Sequence, residues 1–117
     1  MIEVVVTDEF KHWYEALLMD EQESVFRVVS LLESRGVSLG FPYSSAIESS
    51  RDGLRELRVQ HQGRPYRVLY AFDPERKAVL LLGGDKGGND RFYEQSVPRA
   101  EELWKRYLSE RRPGNEG

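Results

Sequence analysis

Three successive strand-like runs decide the fold: LRELRVQ at residues 54–60, PYRVLYAF at 65–72 and KAVLLLG at 77–83. Their valine, leucine and aromatic content is typical of β-strands. The segments 61–64 and 73–76 between them are short and rich in turn-forming residues, so neighbouring strands are predicted to be antiparallel. Because the second and third runs are apolar on both faces, we expect them at the centre of a sheet.

The N-terminal third predicts a short strand followed by two helices. Four of the five residues 2–6 are β-branched, and Thr7 or Asp8 can then cap a helix with apolar residues at helical spacing. Asp20 with Glu23 three positions later predicts the start of a second helix, and Gly36 its end. Because the link between the two predicted helices is short, we expect them to form an αα-hairpin.

The rest of the chain predicts one loop, one helix and a polar tail. Residues 37–53 contain five serines, two glycines and a proline, which indicates a loop. An amphipathic stripe between Val97 and Leu108 predicts a final helix, and Pro98 suggests that it starts near Ser96. The prediction is therefore an α+β fold in which an N-terminal strand and an αα-hairpin pack on a twisted antiparallel sheet, with a C-terminal helix. A single domain spans residues 1–110, and residues 111–117 form a polar tail.

Composition limits the classes of function. A chain of 117 residues fits one domain, and the absence of cysteine excludes a thiolate nucleophile and a cysteine-based zinc site. No apolar run is long enough for a transmembrane helix, and the N-terminus lacks the features of a signal peptide. We therefore predict a cytoplasmic protein that does not contact membranes.

Charge is distributed unevenly along the chain. Residues 1–50 hold 3 basic and 9 acidic side chains, whereas residues 51–91 hold 9 basic and 6 acidic ones. Such polarity predicts an acidic surface and a separate surface that attracts anions.

The cationic side chains within the predicted strands are the most informative feature for function. Arg67 is the only charged residue of its eight-residue run, and an unpaired buried charge costs several kcal/mol. Glu56 and Arg58 share one face of the neighbouring strand, close to Arg67 across the hairpin. Two interpretations remain open: Glu56 neutralises one of the arginines, or the arginines form a cluster that cradles phosphate.

A glycine-rich segment, GGDKGGNDR at residues 83–91, follows the third strand. Its spacing matches neither a nucleotide-hydrolase phosphate loop nor a dinucleotide-binding fingerprint. It is either a plain connection or a flexible loop that brings Lys86, Arg91 and Tyr93 beside the sheet. The two histidines, His12 and His61, are too far apart in the chain to suggest a metal site.

These motifs resemble the HigB-like toxins of the RelE/ParE toxin–antitoxin superfamily. The residues that carry the likeness are Leu54–Arg58, Tyr66–Tyr70, Leu80–Lys86 and Phe92-Tyr93, together with the early helix and the Leu39-Gly40 loop. The likeness covers about residues 2–108 and implies the RelE-like fold.

The resemblance implies a type II toxin that acts as a ribosome-dependent mRNA endonuclease and inhibits translation. The cleavage it implies needs no metal or other cofactor: a ribose 2′-hydroxyl attacks the adjacent phosphorus, and the 5′-oxygen leaves. The implied catalytic residues are Arg58, Arg67 and Lys86, followed by Arg91 and Tyr93. The implied RNA-binding residues are Arg55, Glu56, His61 and Arg64, with Glu56 also a conceivable base.

The resemblance also implies partners and an alternative. The partners are a cognate helix-turn-helix antitoxin and mRNA on the ribosome, with operator DNA contacted only through the antitoxin. The alternative is a non-hydrolytic binding module, either a gyrase-inhibiting ParE-like toxin or an antitoxin-bound co-repressor.

Overall fold

The computed structural model describes residues 1–111. In chain order, the strands are β1 (Val4–Val6), β2 (Ser44–Ala46), β3 (Arg55–His61), β4 (Arg64–Phe72) and β5 (Ala78–Asp85). The helices are α1 (Asp8–Glu15), α2 (Met19–Arg35) and α3 (Phe92–Glu110), and a short 3-10 turn covers Gly36–Ser38. The predicted α+β class is confirmed.

The five strands form one sheet in the order β1-β5-β4-β3-β2. β3, β4 and β5 pair antiparallel, as the short turns predict. β2, which was not predicted, pairs antiparallel with β3, and β4 lies at the centre. β1 pairs with β5 in parallel, so the sheet is mixed rather than wholly antiparallel. The αα-hairpin supplies the crossover that this parallel pairing requires.

The sheet is the middle layer between two separate cores. On one face, Leu57, Val68 and Tyr70 pack against α1 and α2. On the other face, Leu69, Ala71 and Leu81 pack against α3. The face that carries Glu56 and Arg67 is therefore covered in part by α3, and both side chains are buried.

The helices begin at positions that differ in part from the predicted ones. Thr7 caps α1 as predicted, because its hydroxyl accepts the N–H of Phe10 at 3.0 Å. α2 starts at Met19, and its first turn is held by Glu21, whose carboxylate accepts the N–H of Leu18 at 2.7 Å. The prediction that Asp20 and Glu23 fulfil this role is wrong.

α3 begins at Phe92 rather than near Ser96, and Pro98 lies inside it. A proline removes its own N–H from the helix and its ring crowds the carbonyl four residues earlier, and both effects cost stability. Near an N-terminus, packing of the amphipathic face outweighs that loss. The earlier start puts Tyr93 on the helix.

Two segments predicted as loops contribute to the sheet. Ser44–Ala46 of the predicted loop 37–53 pair with Leu57, Glu56 and Arg55 of β3. β5 also extends two residues beyond the predicted strand 77–83, so Gly84 and Asp85 of the glycine-rich segment belong to the sheet rather than to a flexible loop.

Arg111 ends α3 in an extended conformation, and residues 112–117 of the predicted tail lie outside the described residues. Within residues 1–111, no helix combines the length and apolar character that crossing a membrane requires.

Candidate functional site

Glu56 is the centre of a buried polar cluster between β3 and α3. Its side chain is 5% exposed, and each carboxylate oxygen meets one hydroxyl and one guanidinium. Oε1 accepts the phenol of Tyr93 at 2.6 Å and lies 3.5 Å from Nε of Arg67. Oε2 accepts the hydroxyl of Ser45 at 3.0 Å and lies 3.7 Å from Nη1 of Arg58. Two ion pairs and two hydrogen bonds therefore fix one carboxylate.

Strand register explains why two arginines meet at this carboxylate. Arg58 and Arg67 are direct cross-strand partners in the β3–β4 ladder, which brings their side chains onto the same face. Glu56 lies two residues along β3 on that face. Like charges at a cross-strand pair repel, so the carboxylate between them stabilises the arrangement.

The two arginines differ in access. Arg67 is 4% exposed, and its Nη1 donates to the carbonyl of Tyr66 at 3.0 Å. Its Nε is a buried nitrogen without a hydrogen-bond partner in the described part of the chain. Arg58 keeps 30% of its side chain exposed. Arg58 can therefore touch a ligand directly, whereas Arg67 acts from beneath.

Lys86 and Tyr93 complete the cluster from the end of β5 and the start of α3. The ammonium of Lys86 lies 5.6 Å from the centre of the Tyr93 ring. Burial, followed by the hydrogen bond to Glu56, raises the pKa of the Tyr93 phenol, although Arg67 opposes the shift. The phenol therefore keeps its proton at neutral pH.

A cleft of about 540 Å³ opens next to this cluster. Glu56 and Tyr93 line it together with Ser45, Ala46, Ile47 and the exposed carboxylate of Glu48. Arg58, Arg67 and Lys86 against Glu56 leave the cluster with a net charge of +2. Glu56 thus neutralises part of the positive charge of the cluster. The cleft itself is lined by the carboxylates of Glu48 and Glu56, and Arg58, Arg67 and Lys86 are not among its lining residues.

Two adjacent glycines allow the helices to approach the sheet at this point. A Cβ added to Gly83 would lie 2.3 Å from the Trp13 ring of α1, and one added to Gly84 would lie 2.8 Å from the Phe92 ring of α3. Neither distance is possible for a real side chain. The glycines that suggested a flexible loop are therefore sites of close packing on opposite faces of β5.

Several predicted site residues lie away from the cluster. Arg55 points to the α1/α2 face, where its guanidinium donates to Ser44 at 3.1 Å. Nδ1 of His61 lies 2.7 Å from the Ser24 hydroxyl, and Arg64 pairs with Asp85.

Arg91 is exposed at the start of α3 and pairs with Glu94 of the same helix at 2.8 Å. Of the predicted residues, the structure brings together five: Glu56, Arg58, Arg67, Lys86 and Tyr93.

Two residues near the cluster were not predicted. Ser45 holds Glu56 through its hydroxyl, and Phe41 places its ring 5.1 Å from the guanidinium carbon of Arg58. Both lie in the segment interpreted as a loop, where serines gave no period-two signal. Within residues 1–111, no group of three His, Asp or Glu side chains is arranged to hold a metal ion.

The small mixed sheet carries helices on both faces, and a cationic cluster lies where β3, β4 and β5 meet α3. This arrangement defines a RelE-like α+β domain. Residues 12–105 match the family described as phage derived protein Gp49-like (DUF891). The chain belongs to this family of HigB-type toxins, as the sequence motifs predict.

Three relatives cover most of the chain. "Putative toxin HigB3" of Mycobacterium tuberculosis is 37% identical over 113 residues, which are 95% of this chain and 97% of that protein. "Putative toxin HigB2" of the same organism is 35% identical over 101 residues, or 84% of this chain and 50% of that protein. An uncharacterized protein of Haemophilus influenzae is 30% identical over 102 residues, or 87% of this chain and 96% of that protein.

Proposed function

We propose that this protein is the toxin of a type II toxin–antitoxin system and that it cleaves mRNA on the ribosome. The names of the two mycobacterial relatives support the toxin class. The observation that carries the nuclease proposal is that Arg58, Arg67 and Lys86 gather around Glu56 and Tyr93 with a net charge of +2. A cluster of this charge suits a phosphodiester whose negative charge increases in the transition state.

In the proposed reaction, the 2′-oxygen of one ribose bonds to the adjacent phosphorus and the bond from phosphorus to the 5′-oxygen breaks. A base takes the proton of the 2′-hydroxyl, and an acid gives a proton to the departing 5′-oxygen. The products are a 2′,3′-cyclic phosphate and a free 5′-hydroxyl. Metal is not required, because cations of the protein stabilise the charge on phosphorus.

The geometry supports distinct roles for the cations. Arg58 and Lys86 reach the surface and would contact the phosphate oxygens. Arg67 is a positioning residue: it holds Glu56 and raises the positive potential from beneath. Arg91 would contact a flanking phosphate once it leaves Glu94.

Glu56 and Lys86 are the groups proposed to move protons. Glu56 would accept the proton of the 2′-hydroxyl while the Tyr93 phenol holds its carboxylate in place. Lys86 would protonate the 5′-oxygen. Tyr93 orients Glu56 in the resting protein. Arg55, His61 and Arg64 have no part in this proposal because their side chains are engaged on the opposite face.

The proposal includes a partner and a compartment. A cognate antitoxin with a helix-turn-helix fold would neutralise the toxin, and operator DNA would be reached only through that antitoxin. The protein would act in the cytoplasm, where the antitoxin and the operator DNA are found. Residues 1–110 would act as a single domain.

The direct test is to map mRNA 5′-ends after brief induction of the protein in growing bacteria. We expect new ends inside translated regions, each with a 5′-hydroxyl. Arg58→Ala and Lys86→Ala should each lower their number by at least tenfold. The exposed residues Arg35 and Lys105 provide matched controls, and Arg35→Ala and Lys105→Ala should leave it unchanged.

New ends in untranslated RNA at equal frequency would exclude ribosome dependence. Full cleavage by folded Arg58→Ala and Lys86→Ala variants would exclude the proposed site.

The pairing of Glu56 with both arginines favours a second candidate function, a non-hydrolytic binding module. A carboxylate that neutralises cations can have a purely structural role. This candidate, a gyrase inhibitor or an antitoxin-bound co-repressor, predicts growth arrest without new mRNA ends. Inhibition of DNA supercoiling by gyrase in vitro would support the gyrase version.

A further inference from the structure

We propose that a hollow at the free edge of β3 binds a nucleobase of the RNA whose phosphate lies at Arg58. This inference rests on the proposed function and names a part of the substrate that the cationic cluster does not contact. The hollow has a volume of about 390 Å³, which suits a flat small group.

The hollow lies beyond the end of the β2–β3 ladder. β2 pairs with β3 only from Arg55 to Leu57, so the following residues of β3 form an open edge. The N–H of Arg58 donates to the carbonyl of Tyr43 at 2.8 Å and thereby fixes the preceding loop against this edge. The hollow lies between that loop, β3 and α2.

The lining has the chemistry of a base-binding site. Val28, Leu31 and Val59 supply apolar surface, and Pro42 and Tyr43 add ring side chains to the lining. Arg27, Gln60 and Ser24 supply polar groups. A nucleobase has apolar faces and polar edges, and RNA-binding proteins match these with flat side chains and with amide or guanidinium groups.

Phe41 extends the stacking surface to the cationic cluster. Its ring is 75% exposed, and the Arg58 guanidinium lies over it at 5.1 Å from the ring centre. Exposed aromatic rings beside a cation are the usual platform for stacked bases in single-stranded RNA. Arg58 therefore joins two subsites, since it lines the hollow and also pairs with Glu56.

A short oligonucleotide tests the subsite apart from cleavage. The probe is a fluorescent tetranucleotide with 2′-deoxyribose at every position, which removes the attacking hydroxyl. Four further probes each carry one abasic position. Binding to the whole protein is measured by fluorescence anisotropy at fixed salt, because phosphate contacts depend on salt.

In the wild-type protein, one abasic position should weaken binding about tenfold, a magnitude typical of one stacked base. Phe41→Ala and Tyr43→Ala should each weaken binding of the complete probe and abolish the difference in affinity between the complete probe and that abasic probe. Phe41→Trp should restore it, and its fluorescence should be quenched on binding. Phe26 is a matched exposed phenylalanine on α2, and Phe26→Ala should keep the difference.

The outcomes separate this inference from the proposed function. If Arg58→Ala weakens all probes but Phe41→Ala and Tyr43→Ala leave the abasic difference intact, the nucleobase subsite is wrong and the phosphate site stands. Equal binding of all five probes by the wild-type protein also excludes the subsite. If Arg58→Ala changes no probe, or if no probe binds, the phosphate site fails as well.

Discussion

α3 contacts the sheet through a tyrosine–carboxylate pair at each end, and the two pairs differ in what else surrounds the carboxylate. Near its start, Tyr93 donates to Glu56 at 2.6 Å; near its end, Tyr107 donates to Asp73 at 2.8 Å. The two tyrosines are about 21 Å apart along the helix axis. Both carboxylates are buried.

The remaining partners of the carboxylates distinguish the two ends. Oδ1 of Asp73 accepts the backbone N–H groups of Glu75 and Lys77, each at 2.9 Å, and so closes the turn between β4 and β5. Within residues 1–111, no arginine or lysine forms an ion pair with Asp73. Glu56 instead meets movable side chains, two of which are cations. Backbone partners indicate a structural role, whereas a partly exposed cation such as Arg58 can contact an anion, as the proposed function requires.

The strongest test of this difference is the removal of Arg67. We expect Arg67→Ala to lower mRNA cleavage by roughly 10²–10³-fold, because a fixed cation beneath the phosphate is lost. Cleavage is compared per folded molecule, with urea unfolding giving the folded fraction. Arg106→Ala, which removes an exposed arginine paired with Glu9, is the control. If Arg67→Ala cleaves mRNA within threefold of wild type, the Glu56 cluster has a structural role only, like the Asp73 turn at the other end of α3.

Removal of Asp73 should produce the opposite pattern. Asp73→Ala takes away the acceptor of three hydrogen bonds, and we expect the free energy of unfolding to fall by about 3 kcal/mol. Urea unfolding measures this loss. Cleavage per folded molecule should match wild type, and a drop of tenfold or more would contradict a purely structural role.

The two tyrosines allow a smaller and closely matched test. Tyr107→Phe should lower the free energy of unfolding by about 1 kcal/mol and leave cleavage unchanged, since one hydrogen bond of the turn is lost. Tyr93→Phe should lower cleavage by about tenfold because Glu56 loses its orientation. If Tyr93→Phe and Tyr107→Phe had equal effects on stability and on cleavage, the two ends of α3 would not differ in role.

The smallest expected effect concerns the pH dependence of stability. Burial would raise the pKa of Asp73, but the N–H groups of Lys77 and Glu75 and the Tyr107 phenol outweigh it, so the pKa is lowered. Burial and Asp73 raise the pKa of Tyr107 to about 12. The stabilisation from Asp73 is therefore present above its unfolded pKa near 4 and is lost as pH falls through the lower folded value.

The stabilisation from Tyr107 is present below its unfolded pKa near 10 and is lost as pH rises toward about 12. Urea midpoints of wild type should therefore decline more steeply at both extremes than those of an Asp73→Ala/Tyr107→Phe double variant. Parallel profiles would show that the pair has no effect on the pH dependence.

The β3–β4–β5 meander could be predicted from sequence because its signals are local. Apolar runs of strand length are separated by short turns, and Gln62 and Gly63 adopt the positive φ angles, 49° and 79°, of a tight hairpin. β2 could not be predicted in this way. Its serines become a strand only through pairing with β3, where Ser44 lies buried beside Tyr70.

The candidate site was predictable in part for a similar reason. Cross-strand geometry put Glu56, Arg58 and Arg67 together from the alternation of strand residues alone. The roles of Tyr93 and Ser45 depend on where α3 begins and on the existence of β2, which are products of tertiary packing. Arg55, Arg64 and His61 occupy the same hairpin, but their side chains extend from its other face.

The packing of α3 near Glu56 depends on the absence of a side chain at Gly84. Its lack of a Cβ lets the Phe92 ring rest on the strand, and Phe92 is the residue before Tyr93. A single methyl group at position 84 would lie 2.8 Å from the Phe92 ring, so the ring or the first turn of α3, which carries Tyr93, would have to move. The hydrogen bond from the Tyr93 phenol to Glu56 therefore depends on how closely α3 packs on β5 at Gly84. The chemistry of Tyr93 and Glu56 alone does not determine it.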